Sequence, residues 1–140
     1  MYRILVGVDG SEHAERAAQF AIDLAERLHD AEVQLVNVQD PVEESQTHGL
    51  AREAILQHRE TLAVATGSAA MARANDAGVR CAFEWRFGDP AEVLVNAASS
   101  AQCALVVLGT RGAGAIQNLL LGSVAQKALH LSSVPITLVK

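Results

Sequence analysis

Cysteine, aromatic residues and long apolar runs are all scarce in this sequence of 140 residues. Cys81 and Cys103 are the two cysteines, and we place each in a predicted strand as a buried, reduced thiol rather than in a disulfide or a metal site. Apolar segments are broken by charge or glycine well before the roughly 18 residues that a membrane helix needs. These scarcities argue against a disulfide-bonded secreted module and against a membrane protein.

Positive charge is also sparse, with 11 Lys and Arg residues against 16 Asp and Glu residues and a net charge of −5. Because the basic residues form no cluster, we do not expect direct binding to nucleic acid. Residues 1–4 lead at once into an apolar strand without the features of a secretory signal, so the predicted location is the cytoplasm. The length favours one domain over residues 1–140.

Strand and helix signals alternate along the chain. Short apolar segments rich in β-branched residues predict five strands, at residues 4–8, 33–38, 79–87, 104–108 and Ile136–Val139. Helical patterns fill the intervals, and apolar residues recur on one face of the first helix, namely Ala14, Ala17, Ala18, Ala21, Leu24, Ala25 and Leu28. This alternation predicts an α/β fold, an open doubly wound parallel sheet with helices on both faces.

The later helices carry recognisable start and stop signals. The second is predicted over Leu50–Asp76. The third begins with Asp89 as the N-cap and Pro90 in the first turn, a pairing typical of helix starts. The fourth begins near Gly122 and ends before Pro135, which cannot continue a helix. Residues 39–49 form the one predicted loop long enough to act as a lid, with a solvated connection as the simpler alternative.

Two predicted strands end in glycine-containing turns. The first strand leads into Asp9-Gly10-Ser11, and the fourth leads into Gly109-Thr110-Arg111-Gly112 and then Gly122-Ser123. In open α/β sheets, ligands bind at the carboxyl ends of strands. Glycine lets the backbone approach a phosphate, and the amides at a helix start favour an anion. The simpler alternative is that the glycines turn the chain and Ser123 caps a helix, and glycine content alone leaves both open.

The spacing of these glycines resembles the nucleotide-binding signature of the universal stress protein family. Gly109, two residues, Gly112, nine residues and then Gly122-Ser123 match that signature, and the resemblance covers the whole chain. Three further segments support it: Val6-Gly7-Val8-Asp9-Gly10-Ser11, Val36-Asn37-Val38 and Val134-Pro135-Ile136. The resemblance implies a five-stranded, adenine nucleotide alpha hydrolase-like sheet with strand order 3-2-1-4-5, in which Asp9 and Gly109 follow neighbouring strands.

The resemblance also implies the ligand, which is ATP, with AMP and ADP as alternatives and with Mg²⁺ or Mn²⁺ bound through the phosphates. Carried over by position, the residues that hold the phosphates are Gly109, Gly112, Gly122, Ser123 and the backbone of Val124. Asp9 and Gly10, together with Ser11, belong to the nucleoside side. The backbone of Val38 meets the adenine.

Several side chains have more than one open role. Asp9 bonds the nucleoside, reaches the phosphates through a metal ion, or forms an Asx turn before a Ser11 helix cap. Arg111 contacts phosphate or faces solvent, and Lys127 is a weaker phosphate candidate. The histidines lack metal-ligand spacing, so we expect surface or cap positions for all of them, namely His13, His29, His48, His58 and His130. No metal site made of protein ligands is predicted.

Together these features predict a regulatory, ATP-binding stress protein that forms a homodimer. The dimer is expected through the last strand, Ile136, Thr137, Leu138 and Val139, which lies at the sheet edge in the implied order. The alternative is a slow ATPase or adenylyl transferase, although the sequence lacks both SGGxDS and GxxxxGK[ST]. A phosphoacceptor receiver domain is disfavoured, because Gly10 stands where the second residue of an acidic pair is needed.

Overall fold

The structure is a computed structural model and describes residues 1–42, 50–112 and 120–140. Within these residues strands and helices alternate without exception. Their order is β1 (Tyr2–Gly7), α1 (Glu12–Leu28), β2 (Ala31–Gln39), α2 (Leu50–Asp76), β3 (Arg80–Phe87), α3 (Pro90–Ser100), β4 (Leu105–Gly109), α4 (Ser123–Leu131) and β5 (Ile136–Val139). The predicted elements are confirmed, with ends that differ by one to a few residues.

The sheet has five strands in the order β3-β2-β1-β4-β5, and every pairing is parallel. Gly7 of β1 lies opposite Val36 of β2, and Val6 lies opposite Val107 of β4. The chain therefore winds outward from β1 to β3 and then returns to β4 on the other side of β1. The predicted doubly wound fold is confirmed, and its switch point lies between the carboxyl ends of β1 and β4.

Each face of the sheet carries its own apolar core. On one face, buried residues of α1 and α2 pack against β1, β2 and β4. On the other, α3 and α4 cover β1, β4 and β5. Alanines dominate the buried side of α1, and their short side chains let the helix backbone lie close to the sheet. The sequence pattern missed Ile22, which is buried, and wrongly included Leu28, which is 42% exposed at the helix end.

The helix starts are stabilised largely as the sequence predicts. The Ser11 hydroxyl accepts a hydrogen bond of 3.1 Å from the Ala14 amide at the start of α1. Asp89 accepts one of 3.1 Å from the Glu92 amide at the start of α3. Gly78 adopts a φ of 67° after α2, the left-handed conformation that commonly ends a helix. None of the helices in the described ranges is long and apolar enough to cross a membrane.

Both cysteines are free thiols. Cys81 lies in β3 and is half-buried, and burial raises the pKa of its thiol to about 11. Cys103 is buried, and burial likewise raises the pKa of its thiol. The placement of Cys103 inside a strand was wrong, because β4 begins two residues later at Leu105.

Candidate functional site

A cavity of about 640 Å³ opens at the carboxyl edge of the sheet, around the ends of β1, β2 and β4. This volume lies within the range of ordinary small-molecule sites. Most of the residues predicted for binding line it: Asp9, Val38, Gly109, Arg111, Gly112, Gly122, Ser123 and Val124. The fold thus brings the two marked turns together in space. Residues 113–119 of the signature, and 43–49 of the predicted lid loop, lie outside the described residues.

One side of the cavity is apolar. Val36 and Val38 contribute from β2, Leu108 from β4 and Leu94 from α3. Leu108 and Leu94 are almost completely buried, at 4% and 3% exposed. An apolar wall of this kind suits the face of a flat ring, because stacking removes apolar surface from water on both partners.

Another part of the cavity lining is formed by the start of α4. Its N-cap is Gly122, and no side chain among the described residues caps this helix. The Gly122 amide donates to the Thr110 carbonyl at 2.6 Å, which ties the helix start to the turn after β4. Ser123 and Val124, the first residues of the helix, line the cavity. Amides at a helix start lack partners within the helix, and the helix dipole makes this end attractive to an anion.

The three signature glycines differ in what a side chain at each position would contact. A Cβ at Gly112 would lie 2.6 Å from Oδ2 of Asp9, so glycine lets the second turn approach the first. A Cβ at Gly109 would lie 2.8 Å from Cβ of His13 in α1. Gly109 is therefore needed where α1 crosses the end of β4, which supports the packing alternative at this position. A Cβ at Gly122 would meet Cα of Arg111 at 3.4 Å, an ordinary contact.

The Asp9-Gly10-Ser11 turn has internal hydrogen bonds as well as a side chain at the cavity. Oδ1 of Asp9 accepts from the Ser11 amide at 2.9 Å, which is the Asx turn left open by the sequence. Gly10 has a φ of 83°, a conformation that favours glycine. Gly10 and Ser11 do not line the described part of the cavity. Their contribution to binding stays a prediction, while their role in shaping the turn is visible.

Arg111 lies against His13 at the edge of the cavity. Nη2 of Arg111 is 3.3 Å from Nε2 of His13, within hydrogen-bonding distance of the imidazole ring. Arg111 is half-buried and contributes the positive charge nearest to the start of α4 among the residues lining the cavity. Sequence reasoning missed this pairing, since it treated His13 as an isolated surface residue.

Lys127 does not belong to the cavity. Its Nζ lies 3.1 Å from Asp89 and 3.4 Å from Glu92, both at the start of α3. Hydrogen bonding to Asp89 raises the pKa of Lys127, and the Glu92 amide and Lys127 together lower the pKa of Asp89. Helical spacing gave the face of Lys127 but not the start of α3 packed beside it, and its weaker candidacy as a phosphate contact stays a prediction.

Sequence reasoning also missed two residues at the strand ends. Thr110 is 7% exposed and follows β4, and Asp40 follows β2; both line the cavity. Their positions immediately after strands were the signal that could have found them.

The part of the chain that the structure describes contains no group of three or more His, Cys, Asp or Glu residues placed to hold a metal ion. His29 is the C-cap of α1 with a φ of 62°, and His130 lies in the last turn of α4. His48 falls outside the described residues.

The fold and the cavity define an open α/β protein with a cavity at its switch point. The model of the universal stress protein family matches residues 1–140, and the chain belongs to that family. A universal stress protein of Mycolicibacterium smegmatis is 36% identical over 150 residues, covering 99% of this chain and 48% of the relative. The chain thus spans about half the length of that relative. A universal stress protein of Thermus aquaticus is 35% identical over 137 residues, covering 98% and 97%.

Solved structures of the family share the fold. A universal stress protein from Lactobacillus plantarum matches with a TM-score of 0.79 at 23% identity, covering 99% of this chain and 97% of the other. A universal stress protein in complex with cAMP gives 0.76 at 24%, covering 99% and 97%. One from Archaeoglobus fulgidus in complex with dAMP gives 0.70 at 24%, covering 100% and 98%. At these identities the likeness shows the fold.

Proposed function

We propose that this protein binds an adenine nucleotide in the cavity between β1 and β4, that ATP is its physiological ligand, and that binding regulates the protein. The observation that carries the proposal is the start of α4, where a helix without a side-chain cap faces a cavity that also has an apolar wall. A nucleotide combines an anionic phosphate chain, which suits the helix start, with a flat base, which suits the apolar wall.

The phosphates would lie at the start of α4. The amides of Ser123 and Val124 would donate to phosphate oxygens, and the Ser123 hydroxyl would add another donor. Arg111 lines the same region, and its guanidinium suits the geometry of phosphate oxygens. Mg²⁺ or Mn²⁺ bound through the phosphates would neutralise charge that the nearby Asp9 carboxylate otherwise repels.

The nucleoside would lie against β1 and β2. The adenine ring would pack on the apolar wall and meet the backbone at Val38, while Asp9 would accept a hydrogen bond from a ribose hydroxyl. Family members bound to cAMP and dAMP support an adenine base in this cavity. We propose ATP rather than a monophosphate because the spacing of Gly109, Gly112, Gly122 and Ser123 resembles the nucleotide-binding signature of the family.

Binding rather than hydrolysis is favoured because the sequence lacks both the SGGxDS and the GxxxxGK[ST] loops. An ATPase would use the same cavity. Turnover measured with stoichiometric and excess ATP separates the two functions, and the same assay on Asp9→Ala assigns any turnover to this site.

We further propose a cytoplasmic homodimer formed through β5. This strand pairs only with β4 among the described strands, and Ile136 to Val139 carry no charge that would discourage pairing. Light scattering at micromolar concentration should give about twice the chain mass of 14.8 kDa. A mass of one chain would contradict the dimer.

The direct test of nucleotide binding uses protein freed of any ligand acquired during expression. Mass spectrometry first identifies the nucleotide released on denaturation. Calorimetric titration then compares ATP with Mg²⁺, AMP and GTP, and we expect micromolar affinity for ATP and weaker binding of GTP. An affinity for ATP no better than millimolar would overturn the proposal.

A further inference from the structure

A buried polar side chain lies behind the nucleoside end of the cavity. Asn37 is 3% exposed and lies between two valines near the end of β2. Its neighbours in the strand, Val36 and Val38, face the cavity. Because side chains alternate along a strand, Asn37 points to the opposite face of the sheet, toward α1 and α2. It therefore acts on the cavity only through other residues.

Asn37 bonds the residue that precedes Asp9. The Val8 amide donates to the Val36 carbonyl at 2.9 Å, after which β1 leaves its neighbour and enters the Asp9 turn. The Asn37 Nδ2 amide donates to the Val8 carbonyl at 2.8 Å. A side chain of β2 thereby extends the pairing of the two strands by one bond, at the point where the turn begins.

The side-chain amide of Asn37 is in turn held by Gln39, the last residue of β2. Gln39 donates from Nε2 to Oδ1 of Asn37 at 2.7 Å, which fixes the donating group of Asn37 toward Val8. Arg59 of α2 donates to Oε1 of Gln39 at 3.3 Å and to the Asp40 carbonyl at 3.2 Å. A continuous chain of hydrogen bonds therefore runs from α2 through β2 to the Asp9 turn.

We infer that Asn37, held by Gln39, is a positioning residue that fixes Asp9 relative to Val38 and so sets the affinity for the nucleoside part of the ligand. The inference rests on the proposed nucleotide function. It assigns a role to residues that do not contact the ligand. None of the bonds in this chain involves the described residues of α4, so we expect its loss to act less on the phosphate side of the cavity than on the nucleoside side.

The different effects expected on the two sides of the cavity supply the test. Asn37→Leu keeps a buried side chain of similar size but cannot donate to Val8. Gln39→Met keeps the length of a half-buried side chain and releases Asn37. Gln34→Met is the matched control, since Gln34 lies in the same strand and loses only its 2.7 Å bond to Glu84. The probes are ATP with Mg²⁺, adenosine and inorganic tripolyphosphate, titrated into each folded protein.

We expect Asn37→Leu to lower the affinity for ATP and for adenosine by about tenfold. Gln39→Met should lower both affinities by about threefold. Tripolyphosphate should bind both variants within about twofold of the original protein, and Gln34→Met should change none of the probes by more than about twofold. If Asn37→Leu fails to fold, Gln39→Met carries the comparison.

Adenosine affinity unchanged in the folded variants would overturn the inference. So would an equal loss for adenosine and tripolyphosphate, because that pattern is expected of general destabilisation. An original protein that binds neither ATP nor adenosine would instead remove the proposed function itself, together with the inference built on it.

Discussion

The starts of α1 and α3 differ from the start of α4, although all three lie at the same edge of the sheet. Ser11 caps α1 and Asp89 caps α3, each through a side-chain oxygen that accepts a backbone amide. Gly122 occupies the same position in α4 and offers no side chain. Two helix starts are thus satisfied within the protein, while the third leaves its amides beside the cavity. The difference indicates where an anionic ligand belongs.

The largest effect is expected from filling the space at Gly122. The backbone there has a φ of −73°, which any residue adopts, and a Cβ makes an ordinary contact. Gly122→Ala should therefore fold and retain most ATP binding. Gly122→Val should still fold with a modest loss of stability, because valine is a poor N-cap residue. It should weaken ATP binding by about a hundredfold, because its branched side chain would cover the start of α4. Titration of both variants with ATP checks this. Strong ATP binding by Gly122→Val would show that the start of α4 is not part of the binding site.

A glycine that does not line the described part of the cavity should show the opposite pattern. Gly67 lies inside α2, where alanine is normally the better helix former. A Cβ there would lie 2.5 Å from Cδ2 of Phe83, so Gly67→Ala should destabilise the protein by about 1–3 kcal/mol through overpacking. Urea unfolding measures the loss of stability. ATP affinity should be unchanged in the folded variant. A large loss of affinity would contradict the distinction between glycines needed for packing and glycines needed for binding.

Two serine substitutions compare the helix starts most directly. Ser11→Ala removes a cap and should lower the free energy of unfolding by about 1 kcal/mol. Ser123→Ala removes no cap and should change stability by less than about 0.5 kcal/mol, yet it should weaken ATP by about threefold through loss of a donor. Unfolding curves and titrations on the same two proteins suffice. Equal destabilisation by both would show that Ser123 is a structural residue after all.

The smallest effect is a pH dependence that only α3 should show, because its cap is a carboxylate while that of α1 is a hydroxyl. The Glu92 amide and Lys127 lower the pKa of Asp89. A pKa lowered in the folded state stabilises the protein above the unfolded pKa, and this contribution is lost as pH falls through the folded value. Asp89→Asn retains an accepting oxygen without the charge.

The urea unfolding midpoints of the original protein and of Asp89→Asn, measured from pH 7 to pH 3, should therefore converge as the pH falls. A difference that stays constant over this range would mean that the charge of Asp89 contributes nothing to stability.

Local signals in the sequence were sufficient for the helix starts and the strands. Asp89-Pro90 placed α3, and the alanine spacing identified most of the buried face of α1. The strand order came from the family resemblance, because β-branched segments alone do not tell which strands are neighbours. The glycine spacing together with that order predicted which turns meet at the cavity.

What the sequence could not supply were contacts between distant segments. The reason for glycine at position 109 is the approach of His13, and the partner of Lys127 is the start of α3. Neither contact leaves a local pattern. Asn37 did leave one, a polar residue between two valines, but its significance depends on Val8 and Gln39 lying beside it.

The most direct test of the central claim is a titration of isotope-labelled protein with ATP and Mg²⁺, followed through backbone amide resonances. We predict that the largest shifts occur at Ser123 and Val124, whose amides would receive the phosphates, and that the capped amides of Ala14 and Glu92 shift much less. Saturating ATP that leaves Ser123 and Val124 unshifted while other amides move would contradict the assignment of the start of α4 as the phosphate site.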